Sequence, residues 1–193
     1  MFSSAVHLYL NMSQEMVITT ERLRLRGFTE LDWEAVLAYQ THPAYLRYYP
    51  WTGRTAADVR SFVQRFIDWQ QEQPRCKYQL AVILVAEGQL IGNCGLRLER
   101  PGATEAELGY ELNPAYWHQG YASEAARAMV NFGFTELGLH RIWASCLAKN
   151  VGSARLLGKL GMRREGQLRQ KHWFKGRWWD TLLYGLLEDE WRP

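Results

Sequence analysis

The chain has 193 residues, of which 47% are apolar and 22% are charged, and its formal net charge is +3. This length suits one well-buried core rather than two. The small charge, without a cluster of Lys and Arg, argues against a nucleic-acid partner, and no apolar run approaches the roughly 20 residues of a membrane span. Three widely spaced cysteines predict neither a disulfide framework nor a zinc site, so we expect a cytoplasmic protein.

The first fifteen residues, "MFSSAVHLYLNMSQE", lack the basic start and the long apolar stretch of a signal peptide. We expect residues 1–15 to be a flexible N-terminal extension. Residues 16–193 are predicted to form a single domain, because no repeat, linker or low-complexity segment divides them.

The sequence of the first part of this domain predicts one strand and two helices. "VITTERLRLRGF" begins with β-branched residues and then alternates, which is typical of a strand. "TELDWEAVLAYQ" places Thr29 three residues before Asp32, close to a capping box at a helix start. A second helix is predicted to follow Thr55 and to end by Pro74. Its apolar face would consist of Val59, Phe62, Val63, Phe66 and Ile67.

The second part predicts three consecutive strands, with turns at Glu87–Gly88 and Pro101–Gly102. A helix follows from about Ser123 to Leu137, and after it come the strand "HRIWASCLAKN" and the short helix "VGSARLLGKLGM". The chain closes with a hairpin that turns at Lys175–Gly176. The order βααβββαβαββ predicts one α/β domain with a mostly antiparallel sheet.

The segment "YWHQGYASE" joins the strand that ends at Leu112 to the next helix. A helix start carries free N–H groups and partial positive charge, and the small Gly120, Ala122 and Ser123 let an anion approach them. A plain strand-to-helix turn is the alternative. Other enzyme signatures are missing: there is no Gly-x-Ser-x-Gly elbow, no Gly-Lys-Ser/Thr phosphate loop, no His-Glu-x-x-His and no three-glycine Rossmann fingerprint.

Three stretches, "YELNPAYWHQGYASEAARAMVNFGF", "LHRIWASCLAKNVGSARLLGKLGM" and "GRWWDTLLYGLLEDEW", resemble the GCN5-related N-acetyltransferases (GNAT). The resemblance runs from about Val17 to Trp191 and is strongest to the RimJ/RimL-like branch, the ribosomal-protein N-terminal acetyltransferases. The family's motif Arg/Gln-x-x-Gly-x-Gly/Ala aligns with residues 117–122, with tryptophan at its first position. A second motif, Asn-x-x-Ser, begins at Asn150.

The resemblance implies an α/β (α+β) GNAT fold: a single mixed, mostly antiparallel sheet, splayed between its fourth and fifth strands, with helices on both faces. It implies acetyl-CoA as the acetyl donor and no metal. The amides after Trp117 would hold the pyrophosphate, and the end of the fourth strand would pair with the pantetheine arm. The implied cofactor-binding residues are Glu111, Leu112, Asn113, His118, Gln119, Gly120, Tyr121, Ala122, Ser123, Asn150 and Ser153.

The proton acceptor is the least defined part of the resemblance. Several family members use a Glu and a Tyr where this chain has Ser145 and Leu157. The catalytic candidates are Ser153, near the thioester sulfur, His172, and Glu107 acting through water. Histidine has an ordinary pKa of roughly 6.5, which suits proton acceptance. The alternatives are that Ser153 only faces solvent and that His172 is an exposed strand residue.

The acceptor is predicted from amine chemistry. At pH 7, removing a proton from the ammonium form costs about 1 kcal/mol for an α-amine and about 4.6 kcal/mol for a lysine, because their pKa values are roughly 7.7–8.0 and 10.4. A site without the Glu/Tyr pair therefore favours a protein N-terminus. A small-molecule amine is the runner-up, and a non-catalytic acetyl-CoA-binding module is a third hypothesis. The acceptor side would include Trp51, Tyr48 and Tyr110, unless these aromatics are core, and the protein would be a monomer or a homodimer.

Overall fold

The strands assemble into one twisted sheet, seen in a computed structural model that describes residues 7–10 and 16–192. Within these ranges nine strands are arranged in the order β1-β2-β3-β4-β5-β6-β7-β9-β8. The strands are β1 His7–Leu10, β2 Met16–Thr19, β3 Leu23–Arg26, β4 Lys77–Leu84, β5 Gln89–Arg97, β6 Glu105–Leu112, β7 Arg141–Leu147, β8 Arg163–Phe174 and β9 Arg177–Leu187. The helices are α1 Trp33–Gln40, α2 Pro43–Leu46, α3 Ala56–Gln71, α4 Tyr121–Thr135 and α5 Val151–Lys159.

The sheet opens between β6 and β7, the fourth and fifth strands of the sequence prediction. These two strands are parallel, whereas all other neighbouring pairs are antiparallel. Their pairing is confined to Glu105–Glu107 on β6 and residues 141–143 on β7. Residues 108–112 of β6 face a gap on that side, which we call the splay. The predicted mixed sheet with a splayed centre is confirmed.

Each face of the sheet carries its own apolar core. Because side chains alternate along a strand, Leu80 and Val82 of β4 point to one face and Ala81 and Ile83 to the other. Helices α4 and α5 cover the first face, and α1, α2 and α3 cover the second. The prediction of helices on both faces is therefore confirmed. None of the helices within residues 16–192 combines the length and the apolar composition that crossing a membrane requires.

The single first strand predicted for "VITTERLRLRGF" is wrong. The segment forms two antiparallel strands, β2 and β3, separated by a turn at residues 20–22. Thr20 closes this turn: its Oγ1 accepts a hydrogen bond from the N–H of Leu23, and its N–H donates to the Leu23 carbonyl. Such a local bond between a threonine side chain and the backbone favours a turn over a continued strand.

The predicted N-terminal extension contains strand β1, which pairs with β2 over His7–Leu10. The rest of that extension, residues 1–6 and 11–15, lies outside the described residues, so a domain boundary at residue 16 stays a prediction. The capping box predicted at Thr29 and Asp32 is confirmed, and Thr55 caps α3 in the same way with Asp58. The short helix α2 was not predicted.

Candidate active site

A turn with two left-handed residues precedes helix α4. His118 has φ +63° and Gly120, the N-cap residue, has φ +87°. No side chain caps the helix. Its first backbone hydrogen bond runs from the N–H of Glu124 to the carbonyl of Gly120. The amides of residues 118–123 have no hydrogen-bond partner within the described part of the chain. Free amides that converge at a helix start form an anion-binding concavity.

The turn is tied to the end of strand β6. The indole Nε1 of Trp117 donates to the Leu112 carbonyl at 2.8 Å. The backbone N–H of Asn113 donates a hydrogen bond to the carbonyl of Ile91, on β5, at 2.7 Å. The side-chain Oδ1 of Asn113 accepts a hydrogen bond from the N–H of Ala115. Because backbone groups alternate in direction along an antiparallel strand, the N–H of Leu112 faces the splay. The Asn113 N–H faces away from it and is not free to bind a ligand there.

A hydrogen bond crosses the splay. The hydroxyl of Tyr110, on β6, lies 2.7 Å from Oγ of Ser153, on α5. Asn150 caps α5, because its Oδ1 accepts from the N–H of Ser153 at 3.2 Å. Burial raises the pKa of the Tyr110 phenol, so this hydroxyl stays protonated. Burial also raises the pKa of the nearby Cys146 thiol, which makes a thiolate nucleophile unfavourable there.

A half-buried carboxylate, Glu111, lies on the other face of β6 at the same end. Its oxygens accept hydrogen bonds from Tyr39 (3.2 Å), Gln40 (3.0 Å), Tyr49 (3.2 Å) and Asn93 (3.2 Å). Burial, and next the charge of Glu111, raises the pKa of both phenols well above the ordinary value. The two hydroxyls therefore remain neutral donors, and the carboxylate is held in a fixed position at the end of the splayed strand.

Aromatic rings extend from this carboxylate towards solvent. Tyr49 stacks on Trp51 with ring centroids 4.7 Å apart, and the Arg54 guanidinium lies 4.9 Å from the Trp51 ring centre. The Trp51 Nε1 is buried without a hydrogen-bond partner among residues 16–192. Tyr48 donates to the Lys149 carbonyl at 3.4 Å, which joins the end of α2 to the turn before α5. Trp51 and Tyr48 thus lie beside the carboxylate and beside the splay.

Two predicted catalytic residues lie elsewhere. Glu107 bonds with Arg97 at 3.1 Å, at the paired end of β6, about 13 Å along the strand from Glu111 by the rise per residue. His172 pairs with Trp179 in the β8–β9 ladder, and its exposed side chain has no hydrogen-bond partner among the described residues. Strand β8 is the edge strand beyond β9, and the tip of its hairpin contacts the end of α2, where Lys175 Nζ donates to the Leu46 carbonyl at 2.6 Å. The structure brings together Tyr110, Ser153 and Asn150, but neither Glu107 nor His172 joins them.

The Glu111 side chain is a candidate functional group to which the sequence interpretation gave no role, since it assigned this residue through its backbone. The signal was present in "ELGYEL". Alternation puts Leu108, Tyr110 and Leu112 on one face and Glu107 and Glu111 on the other. The described residues contain no group of three or more His, Cys, Asp or Glu side chains that could hold a metal ion.

Known proteins resemble this chain in both sequence and fold. Residues 22–163 match the family model for the acetyltransferase (GNAT) domain. The chain is 39% identical over 176 residues to the uncharacterized N-acetyltransferase YnaD of Bacillus subtilis, covering 91% of this chain and 99% of that protein. The structure of a GNAT-family acetyltransferase from Bacillus anthracis has a TM-score of 0.78 and 38% identity, covering 91% of this chain and 100% of that one. RimL, a ribosomal alpha-N-protein acetyltransferase solved with coenzyme A, has a TM-score of 0.78 at 19% identity, covering 89% and 97%.

Proposed function

Since the chain belongs to the GNAT family of acetyltransferases, we propose that it transfers the acetyl group of acetyl-CoA to the N-terminal α-amine of a protein, such as a ribosomal protein. The observation that supports this best is the position of Glu111. Its fixed carboxylate lies at the end of the splayed strand, one residue from the inward-facing N–H of Leu112.

The residues present fit acetyl-CoA as a substrate. The free amides of the Gly120 turn suit its pyrophosphate, and the splay edge of β6 suits its amide-containing arm. When bound, acetyl-CoA supplies a thioester whose carbonyl carbon an amine can attack. The N–H of Leu112 would polarise the carbonyl oxygen, because a fixed donor in a site shielded from water stabilises negative charge well. Asn150 and Ser153 lie at the helix start that closes the splay.

Glu111 would act on the amine. A carboxylate attracts the ammonium form of the acceptor and can take a proton from it, directly or through water. The surrounding Tyr39, Gln40 and Asn93 donate hydrogen bonds to this carboxylate and hold its orientation. This assignment replaces Glu107 and His172 as the proton acceptor that we favour.

Tyr110 and Ser153 would act on the leaving sulfur. The transfer ends with a thiolate that must be protonated or hydrogen-bonded. The Tyr110 phenol stays protonated because burial raises its pKa, and with the Ser153 hydroxyl, 2.7 Å away, it would donate a hydrogen bond to the departing thiolate. The chain thus provides a proton acceptor on one face of β6 and a donor on the other.

The choice of an α-amine rests on charge and proton affinity. Glu111 is the one carboxylate in the cluster formed by Tyr39, Gln40, Tyr49 and Asn93, so the acceptor side does not offer a polyamine several anionic partners. Within this described cluster a single carboxylate suits a single ammonium. An α-amine also needs less free energy than a lysine to become neutral at pH 7. The three described cysteines are free and buried, which is consistent with action in the reducing cytoplasm.

The test uses the purified protein, acetyl-CoA and peptides that begin with free Ala, Ser or Met, each beside an N-blocked version that contains lysine. Peptide mass and free thiol are measured in the same reaction. We expect acetylation of the free N-termini alone, with one thiol released per acetyl group. Acetylation of the lysine in the N-blocked peptides alone would refute the proposed acceptor. Acetyl-CoA binding without transfer to any amine would indicate a non-catalytic module.

A further inference from the structure

The Arg22 side chain reaches the Gly120 turn from a distant part of the chain. It lies in the turn between β2 and β3, and its Nη1 donates to the Gln119 carbonyl at 3.0 Å. Its Cζ lies 4.4 Å from the centre of the Tyr121 ring. A Cβ atom built on Gly120 would lie 3.2 Å from Arg22 Nη2, the nearest described atom apart from those of adjacent residues. The guanidinium therefore borders the same turn whose amides are free.

The same guanidinium is fixed by Glu124, in the first turn of helix α4. Its Nε and Nη2 lie 2.7 Å and 2.6 Å from Oε2 of Glu124. The other carboxylate oxygen accepts from the Arg22 backbone N–H at 2.9 Å and from the Thr20 hydroxyl at 2.5 Å. The Glu124 side chain is 18% exposed and the Arg22 side chain 40% exposed. Both guanidinium nitrogens contact one carboxylate oxygen and two further donors hold the other, so the four bonds fix the orientation of Glu124 as well as pairing its charge.

This arrangement resolves an electrostatic conflict. A carboxylate near a helix start is favourable for the helix alone, but it repels a phosphate that binds at the same place. Bonding to Arg22 and Thr20 neutralises Glu124 and directs its oxygens towards the β2–β3 turn. The bond from Arg22 to the Gln119 carbonyl also restrains the residue before Gly120. Both effects leave the turn favourable for an anion.

We propose that Arg22 is a positioning residue for the pyrophosphate of acetyl-CoA: with Glu124 as its anchor, it holds the Gly120 turn in its anion-binding shape and cancels the carboxylate charge beside it. The inference rests on the proposed use of acetyl-CoA. It adds a residue from the β2–β3 turn, roughly 100 positions before the motif, to the binding machinery. It also gives a second reason for glycine at position 120, since a side chain there would press on the guanidinium.

The experiment compares two acetyl donors that differ in the pyrophosphate. KM and kcat are measured for acetyl-CoA and for S-acetylpantetheine, with the wild-type protein, Arg22→Gln and Arg22→Lys. Arg24→Gln is the matched control, because Arg24 is exposed on β3 and loses the same charge. Binding of coenzyme A alone is measured by titration calorimetry with each protein.

We expect Arg22→Gln to raise KM for acetyl-CoA and Kd for coenzyme A at least 10-fold, with kcat and the kinetics of S-acetylpantetheine within 2-fold of wild type. Arg22→Lys should recover part of the loss, and Arg24→Gln should show none. Adding Glu124→Gln to Arg22→Gln should restore part of the affinity, because the uncompensated carboxylate is then absent.

If Arg22→Gln lost as much activity with S-acetylpantetheine as with acetyl-CoA, Arg22 would only support the fold. If its affinity for coenzyme A were unchanged, Arg22 would have no role in binding. Either result would overturn the inference. If wild-type protein bound no coenzyme A, the proposed function itself would fail, which is a different outcome from a loss confined to Arg22 variants.

Discussion

The hydroxyl of Tyr110 and Oγ of Ser153 lie 2.7 Å apart and join the two sides of the splay. Tyr110 belongs to β6 and Ser153 to α5, which follows β7. The two strands separate after residue 107, so this bond, with the Tyr48 contact to the turn before α5, defines the geometry of the open end. This pair therefore connects the fold to the proposed chemistry.

Removing the phenol oxygen should therefore affect catalysis more than binding. For Tyr110→Phe we expect kcat to fall by about 100-fold, the range for a lost proton donor, with Kd for acetyl-CoA within about 3-fold. Steady-state kinetics and calorimetry test this. Tyr78→Phe is the matched control, because its hydroxyl donates to the Arg75 carbonyl away from the splay. A normal kcat in Tyr110→Phe would contradict the assigned role.

Replacing the carboxylate at position 111 should separate the amine chemistry from donor binding. We expect Glu111→Gln to lower kcat by about 100- to 1000-fold, while acetyl-CoA binds as before, because the side chain lies on the opposite face from Ser153. Glu107→Gln is the comparison, since its carboxylate pairs with Arg97. If Glu107→Gln lost as much activity as Glu111→Gln, the assignment of Glu111 would be wrong.

Adding one methyl group at Gly120 tests the anion-binding turn. Gly120 has φ +87° and borders Arg22, so Gly120→Ala should cost about 1–2 kcal/mol of stability and weaken acetyl-CoA binding at least 10-fold. Gly102→Ala carries a matched strain, with φ +73° and no atom within 4 Å of a new Cβ. Thermal unfolding should show similar losses for both variants. The affinity for acetyl-CoA should fall only for Gly120→Ala. If the two variants bound acetyl-CoA equally well, the assigned site would be wrong.

The Asp32 carboxylate should give the fold a defined pH dependence. Burial opposes its ionisation, but hydrogen bonds from Arg26 and from the Thr29 N–H outweigh burial and lower its pKa. A lowered pKa in the folded state stabilises the protein above the ordinary Asp pKa of roughly 3.9 and ceases to do so as the pH falls through the folded value. Asp32→Asn should therefore lose about 2–4 kcal/mol at pH 7.

Urea unfolding at pH 7 and near pH 3 measures this difference. We expect the difference in unfolding free energy between wild type and Asp32→Asn to be smaller at the lower pH. Asp58→Asn, which removes the equivalent but exposed capping carboxylate of α3, should show a smaller gap at pH 7. If the loss of unfolding free energy in Asp32→Asn were the same at both pH values, the charge of the carboxylate would contribute little to stability.

Local chemistry explains which parts of the fold could be predicted from the sequence. Thr29 and Asp32 sit three residues apart, so their capping box is visible in the sequence. The Lys175–Gly176 turn is equally local, and both residues have positive φ. The break after Thr19 was missed because alternation continues on both sides of the turn and only the Thr20 side chain marks it.

The chemistry at Glu111 could not be predicted, because its partners are distant in sequence. Tyr39, Gln40 and Tyr49 lie 72, 71 and 62 residues away. Alternation on β6 gives the face of the sheet on which the carboxylate lies, but not the groups that surround it. The same holds for Arg22 and Glu124, which are separated by 102 residues. The Gly120 turn was recognisable because all of its parts are adjacent.

The most direct test of the account is one competition reaction with limiting acetyl-CoA. It contains a peptide with a free N-terminal alanine and an internal lysine, together with spermidine, and tandem mass spectrometry locates each acetyl group. We predict that the peptide α-amine carries nearly all of the acetyl groups and that Glu111→Gln abolishes this product. Acetyl groups mainly on lysine or spermidine, or undiminished α-amine acetylation by Glu111→Gln, would contradict the account.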